Sequence, residues 1–272
     1  MIKAAVLGHP IKHSKSPIIH GHWLNEYGID GSYEAIDFSP EEFSPGVRNL
    51  AVQGFAGCNV TVPHKEAAME ISDELTDRAR IIGAVNTLVF KDKKIIGDNT
   101  DCEGFLTNLM NDAPRWNAAS GPALVLGAGG AARGIVFALL DAGVPEIILA
   151  NRTRKRAENL AADFRNVHVC DWSDISEVVS SVGLIVNTTL LGMVNQPALE
   201  IDLTGLRPDT VVNDIVYNPL ETKLLKASRD KGCVGVDGLG MLLYQAVPGF
   251  EAWFGKRPVV TQALRQKIEA SL

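Results

Sequence analysis

Short apolar runs bounded by glycine, proline or polar clusters alternate along this chain with longer segments whose apolar residues recur at helical spacing. In the amino-terminal part, the runs at 4–7, 33–37 and 55–62 predict strands, and the segments 17–27, 40–52 and 64–71 predict helices. A further helix is expected over 77–82. Residues 85–90 and 94–97, joined by Lys91-Asp92-Lys93, have the spacing of a β-hairpin. A helix over 102–110 then runs into Asn111-Asp112-Ala113-Pro114 and Ala118-Ala119-Ser120-Gly121-Pro122, a stretch of breakers that points to a domain boundary within 101–121.

Beyond the breakers comes a βαβ unit: a strand over 123–126, a turn at Gly127-Ala128-Gly129-Gly130-Ala131-Ala132, a helix, and a second strand over 147–150. Apolar runs at 167–170, 184–187, 211–215 and 233–236 continue the pattern, alternating with helices. Such alternation builds a mostly parallel sheet covered on both faces. Past Asp237-Gly238-Leu239-Gly240 the pattern turns helical, over 241–254 with an interruption expected at Pro248-Gly249, and over 261–271. No strand remains to extend the second sheet, so these helices are expected to return to the first domain. The expected fold is α/β with two domains, one discontinuous over 1–101 plus 240–272 and one over 102–239.

Composition narrows the partners. The 272 residues, 46% apolar and 21% charged, suit two ordinary globular domains. A net charge of −6 argues against a nucleic-acid or anionic-membrane surface. No apolar run approaches the ~20 residues of a membrane span, and the opening residues turn polar too soon for a secretory leader. A cytoplasmic location is therefore expected. Cys58, Cys102, Cys170 and Cys233 are scattered without C-x-x-C spacing, which suggests neither a zinc site nor a disulfide framework, so buried thiols and no metal are expected.

Against this acidic background, the run Arg152-Thr153-Arg154-Lys155-Arg156 reads as a local anion site. The glycine turn before it fits G-x-G-x-x-G/A through Gly127, Gly129 and Ala132, where small residues let a pyrophosphate approach the backbone at a helix N-terminus. An NAD site usually places Asp or Glu ~20 residues on, to hold the ribose hydroxyls. Here Asn151 and Arg152 stand there, with no carboxylate to repel a phosphate. If Thr153 caps the next helix, the bases lie in its first turn, where the macrodipole disfavours positive charge by roughly 0.3–1 kcal/mol each. An anion should compensate, and the 2′-phosphate of NADP suits guanidinium groups.

In the amino-terminal domain, the strand ends are rich in polar residues: Gly8 to Pro17 after the first, Asn59 to Lys65 after the third, and Asn86-Thr87 with Asp98-Asn99-Thr100-Asp101 around the hairpin. Ligands of open α/β sheets sit beyond such ends, and so many hydroxyls and amides suit a small polyhydroxylated substrate. Ser16 is equally a candidate cap for the helix that follows. Lys65 and Asp101 fit hydride chemistry, because reducing a carbonyl leaves an alkoxide that a protonated group must neutralise. His13, His20, His22 and His64 lack acidic partners at metal-ligand spacing and read as structural or rim residues.

Together these residues resemble the shikimate dehydrogenase family over essentially the whole chain. The matching segments are His13-Ser14-Lys15-Ser16-Pro17, Asn59-Val60-Thr61-Val62-Pro63-His64-Lys65, Gly83-Ala84-Val85-Asn86-Thr87, Gly97-Asp98-Asn99-Thr100-Asp101, Gly127 to Arg133, Asn151-Arg152-Thr153, Asn187-Thr188-Thr189, Asp214 to Pro219, and Gly238 to Leu242 with Gln245. Several short motifs in one order are far more specific than any single one. The resemblance implies NADP-dependent reduction of 3-dehydroshikimate to shikimate, with a substrate domain at 1–101 plus 240–272 and a Rossmann-type NADP domain at 102–239. It implies that Ser14 and Ser16 bind the substrate carboxylate and that Thr61, Asn86, Tyr217 and Gln245 bind its ring substituents. Lys65 and Asp101 would be the catalytic pair, with sequence leaving open which of them moves the proton. Gly127, Ala128, Gly129, Gly130 and Ala131 would hold the pyrophosphate, and Asn151, Arg152, Thr153 and Arg154 the adenosine phosphate. Thr188, Ile215, Gly238 and Met241 complete the coenzyme set. Lys12 and Lys15 beside the serines, and Thr189-Leu190-Leu191 in place of a proline-bearing turn, are small departures from the family pattern. A monomer or homodimer is implied. The alternatives are a quinate/shikimate dehydrogenase that accepts NAD, and a non-catalytic NADP or metabolite sensor.

Overall fold

The computed structural model describes residues 1–272. The chain forms two compact units, Met1–Asp101 with Leu243–Leu272, and Cys102–Leu242. The first unit opens with β1 (Ile2–Gly8), α1 (Ser16–Glu26), β2 (Gly31–Asp37), α2 (Pro40–Val52) and β3 (Phe55–Val60). It continues with α3 (Lys65–Glu70), β4 (Glu74–Leu75), α4 (Asp77–Ile82), β5 (Thr87–Lys91) and β6 (Lys94–Asp98). Its sheet runs β2-β1-β3-β5-β6-β4. β1 is parallel to β2 and β3, and β4 to β6, whereas β5 runs antiparallel to both neighbours. The predicted hairpin is therefore an antiparallel insertion in an otherwise parallel sheet. β4 escapes a sequence reading because two residues cannot display a period.

The helices start where local chemistry tells them to. Ser39 and Glu42 form a reciprocal capping box at the head of α2, and Phe43, Val47 and Leu50 make its buried stripe. That stripe packs with Ala5, Leu7, Phe55, Val60 and Leu88 in one core. All four cysteines are free thiols, and Cys170 alone keeps partial exposure.

The chain enters the second unit along α5 (Asp101–Asp112). There it builds β7 (Ala123–Leu126), α6 (Gly130–Asp141), β8 (Ile147–Ala150), α7 (Arg154–Ala161), β9 (Val167–Cys170) and α8 (Ile175–Val178). β10 (Leu184–Asn187), β11 (Val211–Asp214), α9 (Lys223–Asp230) and β12 (Val234–Val236) follow. The sheet order is β12-β11-β10-β7-β8-β9, with every pairing parallel. This is a doubly wound Rossmann-type sheet. The winding reverses between β7 and β10, the switch point at which such sheets bind ligands. β7 and β10 are buried at every position, so their continuous apolar runs reflect cover on both faces.

The chain returns along α10 (Leu239–Phe254), and α11 (Gln262–Glu269) closes the first unit. The interruption expected at Pro248-Gly249 is absent, and α10 runs through Pro248 unbroken. An interior proline costs about 3 kcal/mol. Here Val247, Phe250, Trp253 and Phe254 are buried along the same helix, and Trp253 Nε1 donates to the Leu88 carbonyl at 3.0 Å. Tertiary burial outweighs the local defect. No helix is long and apolar enough to cross a membrane.

Candidate active site

Lys65 is the first residue of α3 and Asp101 the first of α5. Their side chains are 14% and 7% exposed, and Lys65 Nζ donates to Asp101 Oδ2. A helix N-terminus favours the carboxylate and disfavours the ammonium. The ion pair therefore holds a lysine where the backbone alone would reject its charge. The Lys65 carbonyl accepts from Val85 N at 2.9 Å, which ties the start of α3 to the segment leading into β5.

Asn86 and Gln245 join the pair. Asn86 Nδ2 donates to Asp101 Oδ1 at 2.8 Å and to Gln245 Oε1 at 3.4 Å, while Asn86 Oδ1 accepts from Thr100 N at 2.8 Å. Thr100 Oγ1 donates to the Gln245 carbonyl at 2.8 Å. Five residues from four separate stretches of sequence are thus one hydrogen-bonded cluster.

The same network extends to the serine pair. Thr87 Oγ1 donates to Asn86 Oδ1 at 3.0 Å, Asn59 Nδ2 to Thr87 Oγ1 at 3.2 Å, and the Tyr33 hydroxyl to Asn59 Oδ1 at 2.6 Å. Tyr33 also meets the Ser16 side chain, and burial pushes its phenol well above the ordinary range. Ser16 is not the cap of α1. It lies inside the helix, the cap position falls on Lys15, and Ser14 Oγ accepts from Ser16 N at 3.3 Å. Lys15 Nζ is turned onto the Ser271 carbonyl. Thr61 is half-buried four residues before Lys65, with its backbone N–H on the Leu7 carbonyl at 2.9 Å. His20 and His64 are buried: His64 contacts the Phe38 carbonyl at 2.7 Å, and His20 stacks on Tyr33 at 3.9 Å.

In the second unit, Gly127 has φ +106°, and a Cβ there would meet the Thr188 side chain. Thr188 Oγ1 in turn donates to the Leu126 carbonyl at 2.7 Å. Gly129 is different: it is exposed at the N-cap of α6, and nothing lies within 4 Å of where a Cβ would stand. The fold has no need of glycine at 129, so its missing side chain leaves room for something outside the chain. The first N–H groups of α6 face the same turn without helical partners.

Basic residues flank the end of β8. Thr153 occupies the N-cap of α7 but makes no side-chain cap bond, and Asn151 Nδ2 donates to the Thr153 carbonyl at 2.8 Å. Arg154 is held by Asp171 Oδ1 at 2.7 Å and Glu158 Oε1 at 3.1 Å. The position after β8 that an NAD site fills with Asp or Glu is held by Asn151 and Arg152, and the carboxylate that sequence cannot place alongside the run is Asp171, just past the neighbouring β9. Arg152 and Arg156 are exposed and make no ion pair. Open space at Gly129 and two uncompensated guanidinium groups fit a dinucleotide bearing an extra phosphate.

Ile215 and Tyr217 follow β11, both half-buried. A Cβ at Gly238 would collide with the Ile215 carbonyl, so glycine is required for that close approach. Met241 is buried in the first turn of α10.

Comparison with known proteins decides the family. A shikimate dehydrogenase substrate binding domain profile matches residues 6–88, a shikimate/quinate 5-dehydrogenase profile 113–193, and a shikimate 5′-dehydrogenase C-terminal domain profile 238–267. The chain is 57% identical over 267 residues to the shikimate dehydrogenase (NADP(+)) of Roseobacter denitrificans, covering 97% of this chain and 96% of the relative. It belongs to the shikimate dehydrogenase family. Among solved structures, the shikimate 5-dehydrogenase of Thermus thermophilus in complex with NADP(H) and shikimate is 36% identical, with TM-score 0.88 and coverage of 100% of this chain and 99% of that one. The quinate dehydrogenase of Corynebacterium glutamicum in complex with NAD is 31% identical, with TM-score 0.91 and coverage of 100% and 99%.

Within this shikimate dehydrogenase fold, four residues of the hydrogen-bonded network and the basic run are given no role of their own by the sequence reading. Asn59 and Thr100 lie inside motifs that sequence singled out, but nothing there distinguishes them from their neighbours. Arg156 stands in the basic run, and only the capture of Arg154 by carboxylates reveals it as one of the unpaired cations. Tyr33 carries no local signal at all, since it reads as an ordinary β-strand aromatic.

Proposed function

We propose that this chain catalyses the reversible NADPH-dependent reduction of 3-dehydroshikimate to shikimate, as a cytoplasmic enzyme of aromatic amino acid biosynthesis working as a monomer or homodimer. The carrying observation is the part-buried Lys65–Asp101 pair, hydrogen-bonded through Asn86 to Gln245. When bound, NADPH supplies a hydride to the carbonyl carbon. Lys65 and Asp101 act as one unit that delivers a proton to the carbonyl oxygen in reduction and removes it from the hydroxyl in oxidation. Asp101 keeps the ammonium aimed, and Asn86 fixes Asp101 through its other oxygen. Restricted water access strengthens both interactions.

Ser14 and Ser16 bind the substrate carboxylate through their hydroxyls, and Thr61, Asn86, Tyr217 and Gln245 its ring substituents. Residues 1–101 plus 240–272 form the substrate domain and 102–239 the coenzyme domain. Gly127, Ala128, Gly129, Gly130 and Ala131 receive the pyrophosphate. Arg152 takes the 2′-phosphate with Asn151 and Thr153, and Arg154 shapes that site while engaged by Asp171 and Glu158. Thr188, Ile215, Gly238 and Met241 complete the pocket.

The test is a panel crossing NADP and NAD with shikimate and quinate, read by nicotinamide absorbance. The highest kcat/KM is expected for NADP with shikimate. A preference for NAD or quinate would overturn the substrate or coenzyme assignment, and NADP binding without turnover would make the chain a sensor.

A further inference from the structure

Asp214 ends β11 and Asn187 ends β10, in register across the sheet. Both are fully buried. Asp214 Oδ1 accepts from Asn187 Nδ2 at 2.9 Å and from Val216 N at 3.1 Å, while Oδ2 accepts from Thr222 Oγ1 at 2.7 Å. None of these donors is a cation, so neutral groups alone offset the cost of burying the carboxyl. Burial accordingly pushes its pKa above the ordinary carboxylate value, against the hydrogen bonds from Thr222, Val216 and Asn187. An apolar residue would occupy the same space at lower cost. What a carboxylate adds is two oxygens able to receive donors from separate segments.

Those segments are the ones proposed to meet the coenzyme. Asn187 passes the linkage on: its Oδ1 accepts from Thr189 N at 3.0 Å and Thr189 Oγ1 at 2.7 Å, and its Nδ2 also donates to the Leu191 carbonyl at 3.1 Å. Ile215 N donates to the Asn187 carbonyl at 3.1 Å. One arm therefore folds the turn at 188–191, and the second holds the loop at 215–217. The third reaches Thr222, whose hydroxyl caps α9 by accepting from Leu225 N at 3.3 Å.

We propose that Asp214 is a positioning residue for the coenzyme site: its carboxylate locks the turn carrying Thr188 and the loop carrying Ile215 and Tyr217 into one rigid unit at the carboxyl ends of β10 and β11. What those segments bind rests on the functional reading above, whereas the lock itself does not. Asp214→Asn keeps Oδ1 for Asn187 and Val216, and the Thr222 hydroxyl can reverse to accept from the new amide. Asp214→Ala cuts all three arms, and Thr222→Val cuts only the arm to α9.

The experiment measures, on the full chain, amide hydrogen exchange without ligand, thermal midpoint, and NADP affinity by fluorescence. Asp214→Ala is expected to speed exchange at 188–191 and 215–217 and to weaken NADP about ten- to a hundredfold. Asp214→Asn restores both. Thr222→Val lowers the thermal midpoint with NADP affinity kept. Equal loss of NADP affinity in Thr222→Val and Asp214→Ala, or unchanged exchange in Asp214→Ala, would overturn the inference. Should Asp214→Ala fail to fold, Asn187→Ala, which cuts one arm, decides by the same two readouts. A wild-type chain that does not bind NADP would sink the functional reading and leave exchange to judge the lock. Wild-type binding matched by Asp214→Ala would sink the inference alone.

Discussion

At the scale of single residues, the site depends on charges placed against backbone preference. Lys65 sits at a helix N-terminus that repels it, and Asp101 makes that position tenable. Lys65→Ala removes a group acting mainly in the transition state, so kcat should fall by about 10²–10⁴ with the KM for shikimate little changed. Steady-state kinetics check this, and a loss confined to KM would make Lys65 a substrate anchor. Arg152 is uncompensated by any carboxylate, so Arg152→Ala should weaken NADP by roughly tenfold while leaving NAD nearly untouched. Comparing KM for the two coenzymes measures the difference, and equal losses would move the 2′-phosphate elsewhere.

At the scale of elements, the turn between β7 and α6 separates glycines that the fold needs from one that it does not. Gly127 has a positive φ and lies against Thr188, whereas Gly129 has φ −99° and open space around it. Gly127→Ala should therefore lower both thermal stability and NADP affinity. Gly129→Ala should leave the thermal midpoint of the unliganded protein within error and weaken NADP alone. Paired melting curves and coenzyme titrations read both, and a destabilised Gly129→Ala would mean that the turn requires glycine for its own conformation. The unbroken α10 teaches a related lesson. Its proline is a defect by local rules, yet the buried face on either side keeps the helix whole.

At the scale of the whole molecule, stability carries the imprint of His20. Burial lowers its pKa from 6.5 to about 3, with the nearby Asn59 opposing the shift in part, and neither ring nitrogen makes a hydrogen bond of good geometry. The folded chain therefore keeps His20 neutral at a pH where the unfolded chain has already bound a proton. Stability is unaffected by this group above the unfolded value of 6.5 and falls as pH drops toward about 3. The slope approaches about 1.4 kcal/mol per pH unit. Urea unfolding across that window should show a shallower pH dependence in His20→Gln, and an unchanged slope would assign acid sensitivity to other groups.

How much of this was legible beforehand follows from the range of each interaction. Alternating apolar runs, the breakers over 111–122 and the glycine spacing after β7 are written within a few residues, so sequence alone determined the α/β class, most elements and the polar strand ends. The ion pair of Lys65 with Asp101, the capture of Arg154 by Asp171, the linkage from Tyr33 through Asn59 to Asn86, and the three arms of Asp214 join residues from different elements. Their partners are chosen by sheet order and register, which no local period encodes. Hydrogen bonds act over a few ångströms and burial excludes water from all sides, so only the folded sheet could decide which polar side chain met which.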